Sequence, residues 1–356
     1  MITQGLVLNI ENLDVSFDIK DKTYFVLRGI NLELYSGQKI AIVGESGSGK
    51  TTLANSVLLL NEKKITSYFG NIIFYPKKEN CNFCFPKWEI VYTEEYYNEQ
   101  TNVSTYEVFE LDEYSMNHLR GNHISIIFQD PFTALNPVIP VGKQVEEVIK
   151  NHNPNLTKKD IYNKVLDLFL QVNLNEPQTI YKKYPHQLSG GQLQRVCISI
   201  AIANQPEIII ADEPTTALDA YLRETILDLL INMTQKYNSA LLLITHDINI
   251  IKNYVDYVYI LYAGEILEIA STEQIFYNPL HPYTQLLFSC YADKAKKGHK
   301  LPTLPYELPD ISDHDFVFEK CIFLNRCNKK IKRCNEGKPE LYSIKEQKVK
   351  CFLYER

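Results

Sequence analysis

The segment IAIVGESGSGKTT, residues 40–52, constrains the fold of this chain more than any other stretch. A short apolar run of β character leads into glycines, then a lysine and two threonines. The spacing matches G-x-x-x-x-G-K-[ST], with Gly44, Gly49, Lys50 and Thr51 at the defining positions. Glycines let a backbone curl until its N–H groups point at phosphate oxygens, and a helix starting near Lys50 adds its positive end. The expected cradle is Gly44, Glu45, Ser46, Gly47, Ser48, Gly49, Lys50, Thr51 and Thr52. In it Lys50 reaches the β and γ phosphates and Thr51 places a hydroxyl on Mg²⁺. A loop of this kind between strand and helix demands an α/β fold.

PEIIIADEPTTALD, residues 206–219, supplies an acidic counterpart. Ile208 to Ala211 read as a buried strand with Asp212 and Glu213 at its carboxyl end, the edge where ligands gather in open α/β sheets. Alone, such a pair is often a helix cap. With a phosphate loop upstream, Asp212 is expected to hold Mg²⁺ and Glu213 to orient or deprotonate an attacking water. In LSGGQLQRVCISIAIA, residues 188–203, Ser189, Gly190 and Gly191 form a turn opening an amphipathic helix, a second anion-accepting end. A monomer with one phosphate loop has no use for it; a head-to-tail dimer does.

LSGGQ between a phosphate loop and ADE resembles the signature of ATP-binding-cassette ATPases, and further motifs of that family follow in order. Gln129 in IIFQDP is similar to the Q-loop glutamine, which implies contact with Mg²⁺ and coupling to a membrane subunit. Ala217, Leu218 and Asp219 resemble the D-loop, and Gln192 completes the signature. His246 in LLLITHD resembles the switch histidine that meets the γ-phosphate. Phe17 stands where the family's adenine-stacking aromatic lies, with Tyr24 or Phe25 as alternatives. The resemblance covers about residues 6–290. It implies a RecA-like parallel-sheet core, an antiparallel β-subdomain and a helical subdomain near 130–190 that docks on membrane loops. The catalytic set it implies is Lys50, Gln129, Glu213 and His246, with Thr51, Gln129 and Asp212 around Mg²⁺.

DPFTALNPV (130–138), YPHQLSGG and NPLHPYTQLL (278–287) resemble one branch, the ATPases of oligopeptide, dipeptide and nickel importers. That branch implies an ATP-driven peptide translocase on the cytoplasmic face of the membrane. It implies pairing of this D-type chain with a related F-type ATPase, two permease subunits and an external peptide-binding protein. Oligopeptide is the first expectation for the solute, then dipeptide, then nickel. Two other readings stay open: a soluble cassette ATPase outside transport, and a nucleotide-dependent regulatory module without turnover.

Bulk properties agree with a peripheral role. The length of 356 residues suggests about two domains. Net charge is −6, which does not indicate a general grip on nucleic acid. No window approaches the ~20 apolar residues of a membrane span and the start, MITQGLVLNI, does not read as a signal peptide. Charge is uneven: residues 291–356 sum to +5, leaving −11 for the first 290. Residues 76–115 form an acidic, aromatic insertion with Cys81 and Cys84, half of a tetrahedral zinc site. Cys197 and Cys290 read as packing residues.

After a Pro- and Lys-rich linker, an extension over 291–356 carries Cys321, Cys327, Cys334 and Cys351. Beside a cytoplasmic nucleotide site, disulfides are not expected. Four thiols suit zinc, a [4Fe–4S] cluster, or no metal at all. Their spacing, with Phe323 and Arg326, resembles the tail in which peptide-importer ATPases hold a [4Fe–4S] cluster. Arg326, Lys329, Lys330, Lys332 and Arg333 are expected to offset the cluster's negative charge.

Overall fold

The computed structural model describes residues 5–76, 106–216, 218–289 and 308–355. Cys81, Cys84, Ala217, Cys290, the linker and most of the acidic insertion lie outside the described residues.

The chain runs β1 (Leu6–Ile19), β2 (Lys22–Tyr35), β3 (Lys39–Val43), α1 (Lys50–Val57), β4 (Thr66–Phe74) and β5 (Tyr106–Glu107). It continues through α2 (Glu113–Leu119), β6 (Ile124–Ile127), α3 (Pro131–Ala134), α4 (Val141–His152), α5 (Lys158–Gln171), α6 (Pro177–Lys182) and α7 (Gly190–Ile202). Then follow β7 (Ile208–Asp212), α8 (Ala220–Tyr237), β8 (Ala240–Thr245), α9 (Ile248–Tyr254), β9 (Tyr257–Tyr262) and β10 (Glu265–Ser271). After α10 (Thr272–Tyr277) and α11 (Pro282–Ser289), the tail adds α12 (His314–Glu319), β11 (Tyr342–Ile344) and β12 (Gln347–Val349).

These elements form two compact units: Met1–Asn9, Glu33–Gln38 and Ile73–Leu243 in one, and Ile10–Leu32, Lys39–Ile72 and Ile244–Arg356 in the other. In the first, β6 and β7 pair in parallel, Ile124 opposite Ile208 through Ile127 opposite Ala211. Every residue of β7 is buried, so the sheet is covered on both faces, as parallel strands require. Helices α4, α5, α6 and α7 pack on one another here. Val141, Val145 and Ile149 make the buried stripe of α4, at helical spacing. Thr157 and Asp160 cap each other reciprocally at the start of α5. Gly142 lets α4 approach α6, because a Cβ there would strike the Tyr181 ring.

In the second unit β3 pairs with β9 in parallel, Ile40 opposite Tyr257. This pair and that of β6 with β7 agree with the expected RecA-like parallel-sheet core, and antiparallel strands extend it at β10. β10 is antiparallel to β9 and also to β12, and β11 closes on β12. Strand β12 pairs Val349 with Glu268, so the tail adds strands to the cassette's own sheet. Glu265 of β10 is buried and takes Arg28 at 3.3 Å, Lys338 at 2.7 Å and Lys350 at 2.6 Å. Burial would raise its carboxyl, but the three cations outweigh burial and hold it near 2.

Candidate nucleotide site and the cysteine-bearing tail

The phosphate loop lies in the second unit, between β3 and α1. Gly47 and Gly49 have φ of 80° and 102°, the left-handed region where a side chain is strained. Gly49 is also crowded: a Cβ would stand 2.8 Å from Leu27 Cδ2. Gly44 has ordinary φ, but a Cβ would run into the Leu261 carbonyl and sit 2.7 Å from Ser48 Oγ. Lys50, buried, donates from Nζ to the Gly44 carbonyl at 2.9 Å and the Glu45 carbonyl at 2.8 Å. The lysine thus stands over the curl of its own loop. Ser48 Oγ is buried with no hydrogen-bond partner among the described residues, as suits a loop that takes a polar ligand. These residues fit a nucleotide phosphate. His246 is exposed directly after β8, in the same unit, and Asp247 N–H donates to Thr245 Oγ1 at 3.0 Å.

The first unit holds the acidic group. Asp212 ends β7 and is buried. Glu213 follows with φ of 45°, a conformation that costs free energy in a non-glycine residue and clusters at functional sites. Its Oε2 accepts from Gln129 Nε2 at 3.0 Å and from Thr216 Oγ1 at 2.9 Å. Gln129 and Glu213, 84 positions apart, are therefore brought together. Ser189 caps α7: its Oγ accepts from Gln192 N–H at 3.3 Å and its N–H donates to Gln192 Oε1 at 3.1 Å. The signature is a capping box as well as a glycine turn, legible as S-x-x-Q and missed in the sequence reading. Asp219 N-caps α8 through Leu222 N–H at 3.0 Å. Asp130 caps α3, leaving Phe132 and Val138 of DPFTALNPV exposed.

Among the aromatics expected near adenine, Phe17 and Tyr24 are half-buried. Phe25 is engaged edge-on by Phe318 and His314 of α12, with centroids at 4.9 and 5.6 Å.

The tail's motif packs against the HPYT motif. Phe323 is 1% exposed and meets the rings of Tyr262, Tyr283 and His281 at 5.2, 5.5 and 5.6 Å. Glu268 accepts the N–H groups of Leu280 and His281 at 2.7 and 2.9 Å, while His281 Nδ1 accepts from Tyr283 N–H at 3.0 Å. Burial raises the Glu268 carboxyl. The motif that marked the branch in sequence is thus a structural knot, which spacing alone did not reveal.

Cys321, Cys334 and Cys351 are buried and Cys327 is half-buried, all as free thiols. Burial pushes the Cys321 thiol up to about 12 and Cys351 to about 11, and raises Cys327. Each of these three feels the others or Cys334 electrostatically, so the four sulfurs share one neighbourhood. No group of three or more His, Cys, Asp or Glu among the described residues is arranged to hold a metal ion. Of the five bases expected to offset a cluster, Lys329 and Lys330 act on Cys327. Arg326 is instead committed to Glu45 and Tyr262, and Arg333 to Glu355. Cys197 is buried, its thiol pushed up to about 12 chiefly by burial, as a packing residue should be.

Residues 27–216 match the family model described as ABC transporter, and residues 267–334 match the one described as oligopeptide/dipeptide transporter, C-terminal region. The oligopeptide transport ATP-binding protein OppD of Lactococcus lactis subsp. cremoris is 36% identical, over 90% of this chain and 85% of that one. The oligopeptide transport ATP-binding protein AppD of Bacillus subtilis is 33% identical, over 98% of this chain and 97% of that one. Among solved structures, the ATP-binding cassette MJ0796, a dimer in a post-hydrolysis state bound to ADP and Pi, superposes with a TM-score of 0.59. It is 25% identical, over 74% of this chain and 98% of that one. The phosphate loop, the acidic strand end and the tail motif converge with these likenesses: the chain belongs to the ABC transporter family, as an ATPase in the branch of oligopeptide and dipeptide transport ATP-binding proteins.

Proposed function

We propose that this chain is the ATP-hydrolysing subunit of an importer that carries oligopeptides across the cytoplasmic membrane, working peripherally on its inner face. The observation that carries the catalytic reading is Gln129 hydrogen-bonded to Glu213 at the end of β7. In this reading Lys50 neutralises the β and γ phosphates, while Thr51, Gln129 and Asp212 surround Mg²⁺. Glu213 takes the proton of the attacking water and His246 contacts the γ-phosphate. Bound ATP with Mg²⁺ supplies the phosphoryl group; the chain supplies position and charge. That the cassette MJ0796 is a dimer supports a dimeric reading; in it the two chains lie head to tail, and Ser189, Gly190 and Gly191 serve the partner's nucleotide. The partners are two permease subunits, a peptide-binding protein and a second ATPase, of the F type. The permeases meet the exposed face at Phe132 and Val138. The cassette proper spans 1–290, with its helical subdomain near 130–190, and the extension 291–356.

Solute choice is tested by ATP hydrolysis in the assembled complex with its binding protein. Oligopeptides are expected to stimulate turnover more than dipeptides or nickel; stimulation by nickel alone would reassign the solute.

The tail cysteines are read as ligands of a [4Fe–4S] cluster. The support is four neighbouring thiols among buried side chains with Lys329 and Lys330 nearby. Protein purified without oxygen should contain iron and absorb broadly near the visible edge. Zinc in stoichiometric amount, or neither metal, would overturn this assignment.

A further inference from the structure

The cysteine-bearing tail reaches the phosphate loop itself. Arg326 stands immediately before Cys327, and its side chain is 4% exposed. Its guanidinium donates from Nη1 to Glu45 Oε1 and from Nη2 to Glu45 Oε2, each at 3.1 Å. Nη1 also donates to Tyr262 Oη at 3.3 Å, and the guanidinium carbon lies 5.5 Å from that ring's centre. A two-point guanidinium–carboxylate pair fixes the plane of the carboxylate as well as its distance.

Glu45 directly follows Gly44, so what holds it also holds the first turn of the loop. Its N–H donates to Tyr283 Oη at 3.2 Å, and its carbonyl accepts from Lys50 Nζ at 2.8 Å and from Ser48 N–H at 3.2 Å. The Tyr262 and Tyr283 rings meet at a tilt of 55° with centroids 4.7 Å apart, and both pack on Phe323 from the tail. Side chain and backbone of Glu45 are thereby gripped by one assembly, three of whose members are Arg326, Tyr283 and Tyr262. A Gly47 Cβ would lie 3.5 Å from Leu308 Cδ1, so the tail borders the loop at a second point.

We propose that Arg326 is a positioning residue for the nucleotide site: acting through Glu45, it keeps the phosphate loop curled as phosphate requires. The affinity of this chain for Mg-ATP then depends on a side chain 281 positions away, in the tail. The inference rests on residues 44–52 being the ATP site. A pair that merely glued the tail down would change stability and the active fraction. A pair that shapes the loop changes binding, because a loop free to uncurl must be ordered again by each nucleotide.

The test is a double-mutant cycle on the full-length chain. Binding of a fluorescent ATP analogue with Mg²⁺ is measured for wild type, Arg326→Gln, Arg326→Lys, Glu45→Gln and the double Glu45→Gln/Arg326→Gln. The ATP dependence of hydrolysis is measured in the assembled complex. Arg326→Gln is expected to raise Kd and KM at least ~5-fold while kcat changes far less. Glu45→Gln should do the same, and the double variant should be no weaker than the weaker single. Arg326→Lys keeps a charge without the fork, should lie between, and reports the effect if Arg326→Gln does not fold. Wild-type Kd and KM in the Arg326 variants, multiplying effects in the double variant, or a fall in kcat at constant KM would each overturn the proposal. Failure of the wild-type chain to bind the analogue would instead overturn the ATP-site reading.

Discussion

His281 is buried against Phe323, and burial pushes its imidazole down to about 3, against a weaker opposing hydrogen bond to the Lys350 backbone. An unfolded histidine titrates near ~6.5, so as pH falls below that value the unfolded chain takes up a proton that folded His281 refuses. Stability from this group is whole above ~6.5 and is lost toward about 3, by up to ~1.4 kcal/mol per pH unit. Glu268, raised by burial, works in the opposite sense, and Glu265, held near 2, loses its contribution only in stronger acid. Urea unfolding at pH 7 and pH 5 should show a smaller acid loss in His281→Asn than in wild type; equal losses would remove His281 from this role. At this scale the phosphate loop, Asp212, Glu213 and the signature were legible, because their chemistry is written in contiguous spacing. The pairing of Arg326 with Glu45 was not: no periodicity links residues 281 positions apart.

At the scale of elements, strands such as Ile208–Asp212 and Ala240–Thr245 could be read directly, since uninterrupted β-branched and leucine runs suit strands buried on both faces. The turn to antiparallel pairing at β10 and the tail strands β11 and β12 could not. Three residues are too few to display a period of two; the register of β12 is set against Glu268 and Ile269, and that of β11 against β12. The tail's attachment rests on Phe323, whose ring fills the space among Tyr262, Tyr283 and His281. Phe323→Ala removes that ring from a site 1% exposed and should cost ~3–5 kcal/mol in denaturant unfolding. A loss below ~1 kcal/mol would mean that the HPYT knot stands without the tail.

At the scale of the whole molecule, the cassette motifs and the tail motif, distant in sequence, belong to one nucleotide-driven machine. The phosphate loop and cysteine tail share a compact unit, whereas Gln129, Asp212, Glu213 and the signature share the other. No described helix is long and apolar enough to cross a membrane. Family membership was readable from motif order alone; the solute was not, because under the proposed function its recognition falls to the permease subunits and the binding protein.

The claim that this chain drives uptake by hydrolysing ATP at Glu213 is tested most directly by Glu213→Gln in the assembled complex, measuring nucleotide retention and peptide-stimulated turnover together. Mg-ATP is expected to stay bound while turnover falls ~10²-fold or more. Near-normal turnover in that variant would contradict it.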